Sequence, residues 1–268
     1  MKKLMMMAVL LTAAVCASAQ SDTDPVDAYF TSTEMPDMTK WGPAPPDTTS
    51  AAFAYDIIQY IWGKQMRQNK ERADIAIRDA VYGIDCIIRE FSEPFGLQIS
   101  KEETPEIYKV LREGTATCDS ICKLPKIYYK RMRPFIRFKE HTLVPDDEKN
   151  LSSHKSYPSG HTLLGWSSAL LLSEINPDRA DTILARGLMY GDSRIIVGAH
   201  WQSDVNAARL AAAAAYAKLH TSERFLEQMR LARQEFRVKA GLATIVEMKA
   251  YKKAAEKRAK AAKKVALR

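Results

Sequence analysis

The chain has 268 residues, 46% of them hydrophobic, with only 11 Gly and 12 Pro; that is enough for one substantial, mainly helical domain and too little for two large ones. The formal net charge of +8 says less about partners than it suggests. Lys2 and Lys3 contribute +2, and residues 247–268 hold nine Lys/Arg against two Glu, so the body between them is close to neutral.

Residues 1–19 have the form of a secretory signal: Lys2 and Lys3, an apolar stretch from Leu4 to Val15, and Ala17-Ser18-Ala19 as a small-residue cleavage site. The apolar stretch is short for a bilayer span, and no later segment is longer, which predicts an exported protein that is periplasmic or secreted. Residues 20–49 are polar and interrupted by Pro25, Pro36, Pro43, Pro45 and Pro46, and they read as an extended arm without packing of its own. Helical periodicity follows over residues 50–68, 70–91 and 104–132, the last with a possible break near Cys118. Residues 133–157 have weak periodicity and several breakers and read as a long functional loop. Helices resume at 160–175 (with Ser159 as the cap), 178–190 and 200–219. Beyond Thr221 the sequence stays helix-permissive and becomes Ala/Lys-rich, a solvated helix or frayed tail, or else an attachment to an anionic surface. No aromatic interleaving marks this tail for specific nucleic-acid recognition. The fold class expected is all-α, as a single compact domain over 50–220 with 221–268 appended.

Removal of a signal leaves Cys86, Cys118 and Cys122. In an oxidising compartment an odd count suggests one disulfide or none, and a bridge from Cys86 to Cys118 or Cys122 is the favoured pairing. No histidine lies at ligand spacing near them, and no acidic cluster suggests a two-metal site, so neither a metal nor any other cofactor is expected.

The chemistry concentrates in three blocks. In the first, Lys126 and Arg133 are seven apart, two turns of one helix, and Pro134 follows; alone, this reads as a solvated basic helix end. In the second, Ser159-Gly160 at a helix start offers a hydroxyl, free backbone N–H groups and the positive end of the helix dipole, an anion site beside His161. In the third, His200 and Asp204 stand at i and i+4, so the carboxylate can fix one imidazole tautomer and leave the other nitrogen free to attack. Arg194 adds a planar fork suited to phosphate oxygens. Phosphoryl transfer needs this inventory: positive charge on the equatorial oxygens, a nucleophile and a proton donor. His141, His154 and His220 form no ligand pairs and read as exposed or structural.

Lys126-x6-Arg133-Pro134, Pro158-Ser159-Gly160-His161 and Ser193-Arg194-x5-His200-x3-Asp204, in this order, resemble the signature of the phosphatidic acid phosphatase type 2 and vanadium haloperoxidase superfamily. Within it the chain is most similar to the bacterial class A non-specific acid phosphatases, over residues 43–219. The resemblance implies a helical, metal-independent, periplasmic enzyme, often oligomeric, that hydrolyses small phosphomonoesters and in some members transfers phosphate to alcohols. It implies His200 as the nucleophile that becomes phosphohistidine, Asp204 as its orienting partner and His161 as general acid, then base. Lys126, Arg133, Ser159, Gly160 and Arg194 would cradle the phosphate. The alternatives are a soluble lipid-phosphate or diphosphate phosphatase, a haloperoxidase, and a phosphate-binding envelope module without turnover. A binder would have no use for two unequal histidines.

Overall fold

The computed structural model describes residues 26–266. The signal-like segment and the first residues of the arm lie outside the described residues. The described residues contain helices and no strands, in agreement with the all-α expectation. A short helix, α1 (Met38–Trp41), precedes α2 (Ala51–Met66), α3 (Lys70–Arg78), α4 (Ile84–Phe95) and α5 (Pro105–Asp119). Then come α6 (Lys123–Tyr129), α7 (Pro134–Phe138), α8 (Glu148–Ser153), α9 (Gly160–Ile175) and α10 (Ala180–Val197). The chain closes with α11 (Gln202–Leu219), α12 (Glu223–Lys239) and α13 (Ile245–Ala266). None of these helices is long and apolar enough to cross a membrane.

Side-chain caps start several of these helices. Ser50, Asn69, Ser159 and Ser222 each accept the backbone N–H three residues on, opening α2, α3, α9 and α12; a cap of this kind stabilises a helix start by ~1 kcal/mol. Helix α9 is apolar nearly all round and becomes the central element, packed against α5, α10 and α11. Its approach to α10 is set by missing side chains. A Cβ at Gly165 would lie 2.4 Å from the Tyr190 ring, and one at Gly187 would lie 2.6 Å from Ala169 Cβ. On the other flank α11 presents Ala207, Ala208, Ala211, Ala212 and Ala215, all buried, so this helix also lies close. The start of α9 and the end of α10 are thereby held together, and the site forms there.

The structure departs from the sequence expectations at six places. The periodicity over 70–91 is divided between α3 and α4, because Gly83 has φ 133° and Asp79 turns inward to accept Arg186 and Ser193. The helix expected to reach residue 132 stops at Tyr129, where Lys130 adopts φ 48°. Lys126 and Arg133 therefore share no helix face; they converge across a chain reversal. The expected loop 133–157 contains α7 and α8, and the helix expected to end at 190 continues to Val197, where Gly198 at φ 87° ends it. The arm is packed. Met35 and Met38 are buried in the main core, Tyr29 N–H donates to Thr117 Oγ1 at 2.9 Å, and the Tyr157 hydroxyl donates to the Pro43 carbonyl. Finally, Cys86, Cys118 and Cys122 are all buried and unpaired, so the expected bridge is not made. Cys86 Sγ instead lies 3.5 Å from the Tyr190 hydroxyl.

The basic tail is helical through α13 and is tied to the body. Tyr251 donates to Glu235 at 2.8 Å and Arg258 pairs with Glu106 at 2.9 Å.

Candidate active site

The site is assembled from one end of the helical body. Helix α9 contributes its N-terminus, α10 its last turn and α11 its first. Lys126, Arg133, Gly160, His161 and His200 line one cavity of about 370 Å³, together with Tyr82, Asp119, Asn150, Leu151 and His154. Ser159 and Arg194 lie behind this lining, fully buried, and Asp204 is buried beneath His200. His154, read from sequence as exposed or structural, is exposed and stands on the cavity rim.

His200 precedes α11 and is not on the helix. Trp201 is the N-cap and Asp204 the third residue of the first turn, so the carboxylate folds back over the helix start. Asp204 Oδ2 accepts Trp201 N–H at 2.9 Å, Ser156 Oγ–H at 2.5 Å and His200 Nδ1–H at 3.3 Å. Asp204 Oδ1 accepts Arg131 Nη1 at 2.6 Å. With Nδ1 carrying the proton, His200 Nε2 holds the lone pair and faces Arg133 Nη1, which donates to it at 2.8 Å. Burial, and next the charges of Arg133, Arg194 and Lys126, push the His200 pKa well below the ordinary histidine value. The shift favours the neutral, nucleophilic imidazole.

His161 is held differently. Its Nε2 lies 2.9 Å from the Ala80 carbonyl, so Nε2–H donates there and Nδ1 is left as the proton-exchanging atom. The Tyr82 ring packs edge-on against it at 4.9 Å. Burial first, then Arg194, lower its pKa well below the usual value. A bound dianion would offset the cationic field and restore its basicity.

The cations divide by what they touch. Lys126 Nζ donates to the Lys155 and Pro158 carbonyls at 2.9 and 2.8 Å, which pins the loop before α9. Arg133 is fixed by Nε to the His154 carbonyl and by Nη1 to the Ala199 carbonyl, each 2.9 Å. Burial lowers its pKa to about 10. Arg194 is wholly buried, and its Nε, Nη1 and Nη2 meet no hydrogen-bond partner among the described residues. Burial lowers its pKa too, to about 10, so it remains a cation at neutral and acid pH. An unpaired buried guanidinium costs several kcal/mol, roughly, unless an anion satisfies it. At the start of α9, Ser159 N–H donates to the Asp204 carbonyl at 3.2 Å. Ser159 Oγ accepts Thr162 Oγ1–H at 2.9 Å, which leaves its own proton available.

The sequence motifs omit several residues on which this geometry depends. Arg131 bridges Asp204 and Asp56, at 2.6 and 2.7 Å, and lies over the Trp201 ring at 5.6 Å. Asp56 Oδ1 in turn accepts Ser203 N–H at 2.8 Å. A signal for Asp56 existed: it stands in the buried stripe Phe53, Asp56, Tyr60 and Gly63 of α2, where a carboxylate needs a partner. Asp119 and Tyr82 have no comparable local signal, because the turn between α3 and α4 brings Tyr82 to the end of α5.

Comparison with known proteins shows the family. The sequence pattern of the PAP2 superfamily matches residues 111–224. A non-specific acid phosphatase of Providencia stuartii is 41% identical over 215 residues, covering 80% of this chain and 86% of its own length. One from Salmonella typhimurium is 38% identical over 208 residues, with 75% and 80% covered, and an acid phosphatase of Zymomonas mobilis is 32% identical over 192 residues, with 72% and 73% covered. With relatives this similar over most of their length, and with the cation-lined histidine cavity at the start of α9, the chain belongs to the PAP2 superfamily and, within it, to the class A non-specific acid phosphatases.

Proposed function

We propose that this phosphatase is an exported enzyme that hydrolyses small phosphomonoesters through a phosphohistidine formed on His200. The observation that carries the reading is Arg194: a fully buried guanidinium with no hydrogen-bond partner among the described residues, close enough to lower the pKa of both His161 and His200. A dianionic phosphoryl group satisfies it, and a neutral ligand does not.

In this reading the phosphoryl oxygens lie among Lys126, Arg133, Arg194, the Ser159 hydroxyl and the backbone N–H groups at the start of α9. The oxygens take over the Arg133 fork and release the Nε2 lone pair of His200. Nε2 attacks phosphorus in line, the P–O bond to the leaving group breaks, and His161 Nδ1–H protonates the departing oxygen. Asp204 stabilises the Nδ1–H that becomes part of a charged imidazole. In the second half, His161 Nδ1 takes a proton from water as that water attacks the phosphohistidine, and phosphate leaves. An alcohol in place of water gives phosphotransfer. The scheme draws its charge stabilisation from side chains, so activity should withstand chelators and be blocked by vanadate. The signal-like residues 1–19 support export, and the family resemblance supports a homo-oligomer. The lysines of α13 suit contact with an anionic surface.

Substituting His200→Ala should lower kcat on an aryl phosphate by at least about 10⁴-fold and abolish acid-quenched, phosphate-labelled protein. Turnover within a few-fold of wild type would overturn the mechanism.

A further inference from the structure

Among the groups that line the cavity, Asp119 alone is acidic. It ends α5, and its Oδ1 lies only 3.7 Å from where a Cβ on Gly160 would stand, directly over the first residue of α9. The Tyr82 ring, from the 79–83 turn, stands beside it, with Cε2 4.0 Å from the same point. A carboxylate here shares the positive end of the α9 dipole with any bound phosphate. Among the described residues no cation pairs with it directly. Lys126 spends two N–H bonds on the Lys155 and Pro158 carbonyls, and Lys123 is exposed on the outer side of α6. The other titratable neighbours are the buried thiols Cys118 and Cys122, with Tyr82 above and His161, His200 and Arg133 across the cavity.

We propose that Asp119 couples anion binding in this pocket to acid conditions: as a carboxylate it opposes a bound dianion, and as a carboxylic acid it donates a hydrogen bond to it. Burial already shifts this group toward its protonated form, since desolvation raises its pKa above the ordinary aspartate value. A nearby dianion shifts it further in the same direction. The sign follows from linkage. Binding is tightest below the pKa of the free pocket and weakens as pH rises through and beyond it, because a proton must then be taken up with the anion. The other groups that could produce such a trend, His161 and His200, are left unaltered by a change at position 119.

The proposal rests on the anion seat assigned above, and sulfate tests the two separately. Sulfate has the shape and charge of phosphate but stays a dianion through the working range, so its own titration does not enter. Its dissociation constant, measured by calorimetry on the whole chain between about pH 5 and about pH 7.5, should rise about tenfold more in the wild type than in Asp119→Asn, one pKa unit of coupling corresponding to a factor of ten. Asp119→Glu should retain the wild-type trend, and Asp119→Ser serves in place of the amide if Asp119→Asn does not fold. An equal loss of affinity with pH in wild type and neutral variant overturns the role of Asp119 and leaves the seat intact. No sulfate binding by the wild type at either pH removes the seat, and the proposal with it.

Discussion

Two arginines, one largely and one wholly withdrawn from solvent, stand within a few residues of the same chemistry and are treated in opposite ways. Arg131 is bound by two carboxylates, Asp56 and Asp204, donates also to Ser203 Oγ at 2.7 Å, and is flanked by the Trp201 and Tyr157 rings. Arg194 is more deeply buried still, and its guanidinium meets no hydrogen-bond partner among the described residues. The first is satisfied within the fold and stiffens it. The second is left for a ligand, and the fold bears its desolvation cost until an anion arrives. A cation in an active site is therefore informative by its lack of partners: Arg131 holds Asp204, Asp204 holds His200, and the Arg194 guanidinium holds none of the described residues.

The largest effect expected from this contrast is on stability. Removing Arg131 leaves Asp56 and Asp204 charged, buried and short of a donor. Arg131→Met should thus cost about 3–5 kcal/mol in urea unfolding and, by loosening Asp204, most of the activity as well. A loss of activity with unchanged stability would mean that Arg131 serves the substrate directly and that the two arginines are not different in kind.

Arg194→Met should show the reverse pattern. Its kcat should fall about 10²–10³-fold, the usual cost of one preorganised charge at a phosphoryl group. Its stability without ligand should stay within about 1 kcal/mol of wild type or rise, because a buried cation without a partner has been removed. Saturating phosphate should stabilise the wild type by about 2.7 kcal/mol at a hundredfold excess over Kd, and the variant by much less. Equal protection of both proteins by phosphate would place the anion away from Arg194.

The same contrast marks what was legible in the sequence. Arg194 and Arg131 are both arginines next to motif residues, and spacing alone distinguishes neither paired from unpaired nor buried from exposed. The His200–Asp204 spacing was readable because four residues bring two side chains together at the start of a helix as well as within one. The Lys126–Arg133 spacing misled, because it assumed a continuous helix where Lys130 takes a left-handed conformation. The helices themselves were legible wherever a cap and an apolar period coincided, as at Ser50 and Ser159. The division of 70–91 was not, since it depends on Asp79 turning inward to Arg186 and Ser193, more than a hundred residues away in sequence. Tyr82 reaches the cavity, and the Ala80 carbonyl reaches His161, only through that division. Local patterns give faces and ends of helices; groups brought in by tertiary turns leave no local pattern.

The smallest effect expected sharpens the comparison from the side of Arg131. Ser156 donates to Asp204 Oδ2 at 2.5 Å and lies 3.4 Å from His200 Nδ1, so it could be taken for the residue that orients the nucleophile. Asp204, however, keeps Arg131 on Oδ1 and the Trp201 N–H and His200 Nδ1–H on Oδ2 once the serine is gone. Truncation removes one donor from a carboxylate that has three others and uncovers no new buried acceptor. Ser156→Ala should therefore cost about 1–1.5 kcal/mol of stability, with kcat/KM falling by about fivefold to tenfold on an aryl phosphate. A hundredfold loss would show that the network anchored by Arg131 is not sufficient to hold His200 and that the serine, not the carboxylate, sets the imidazole.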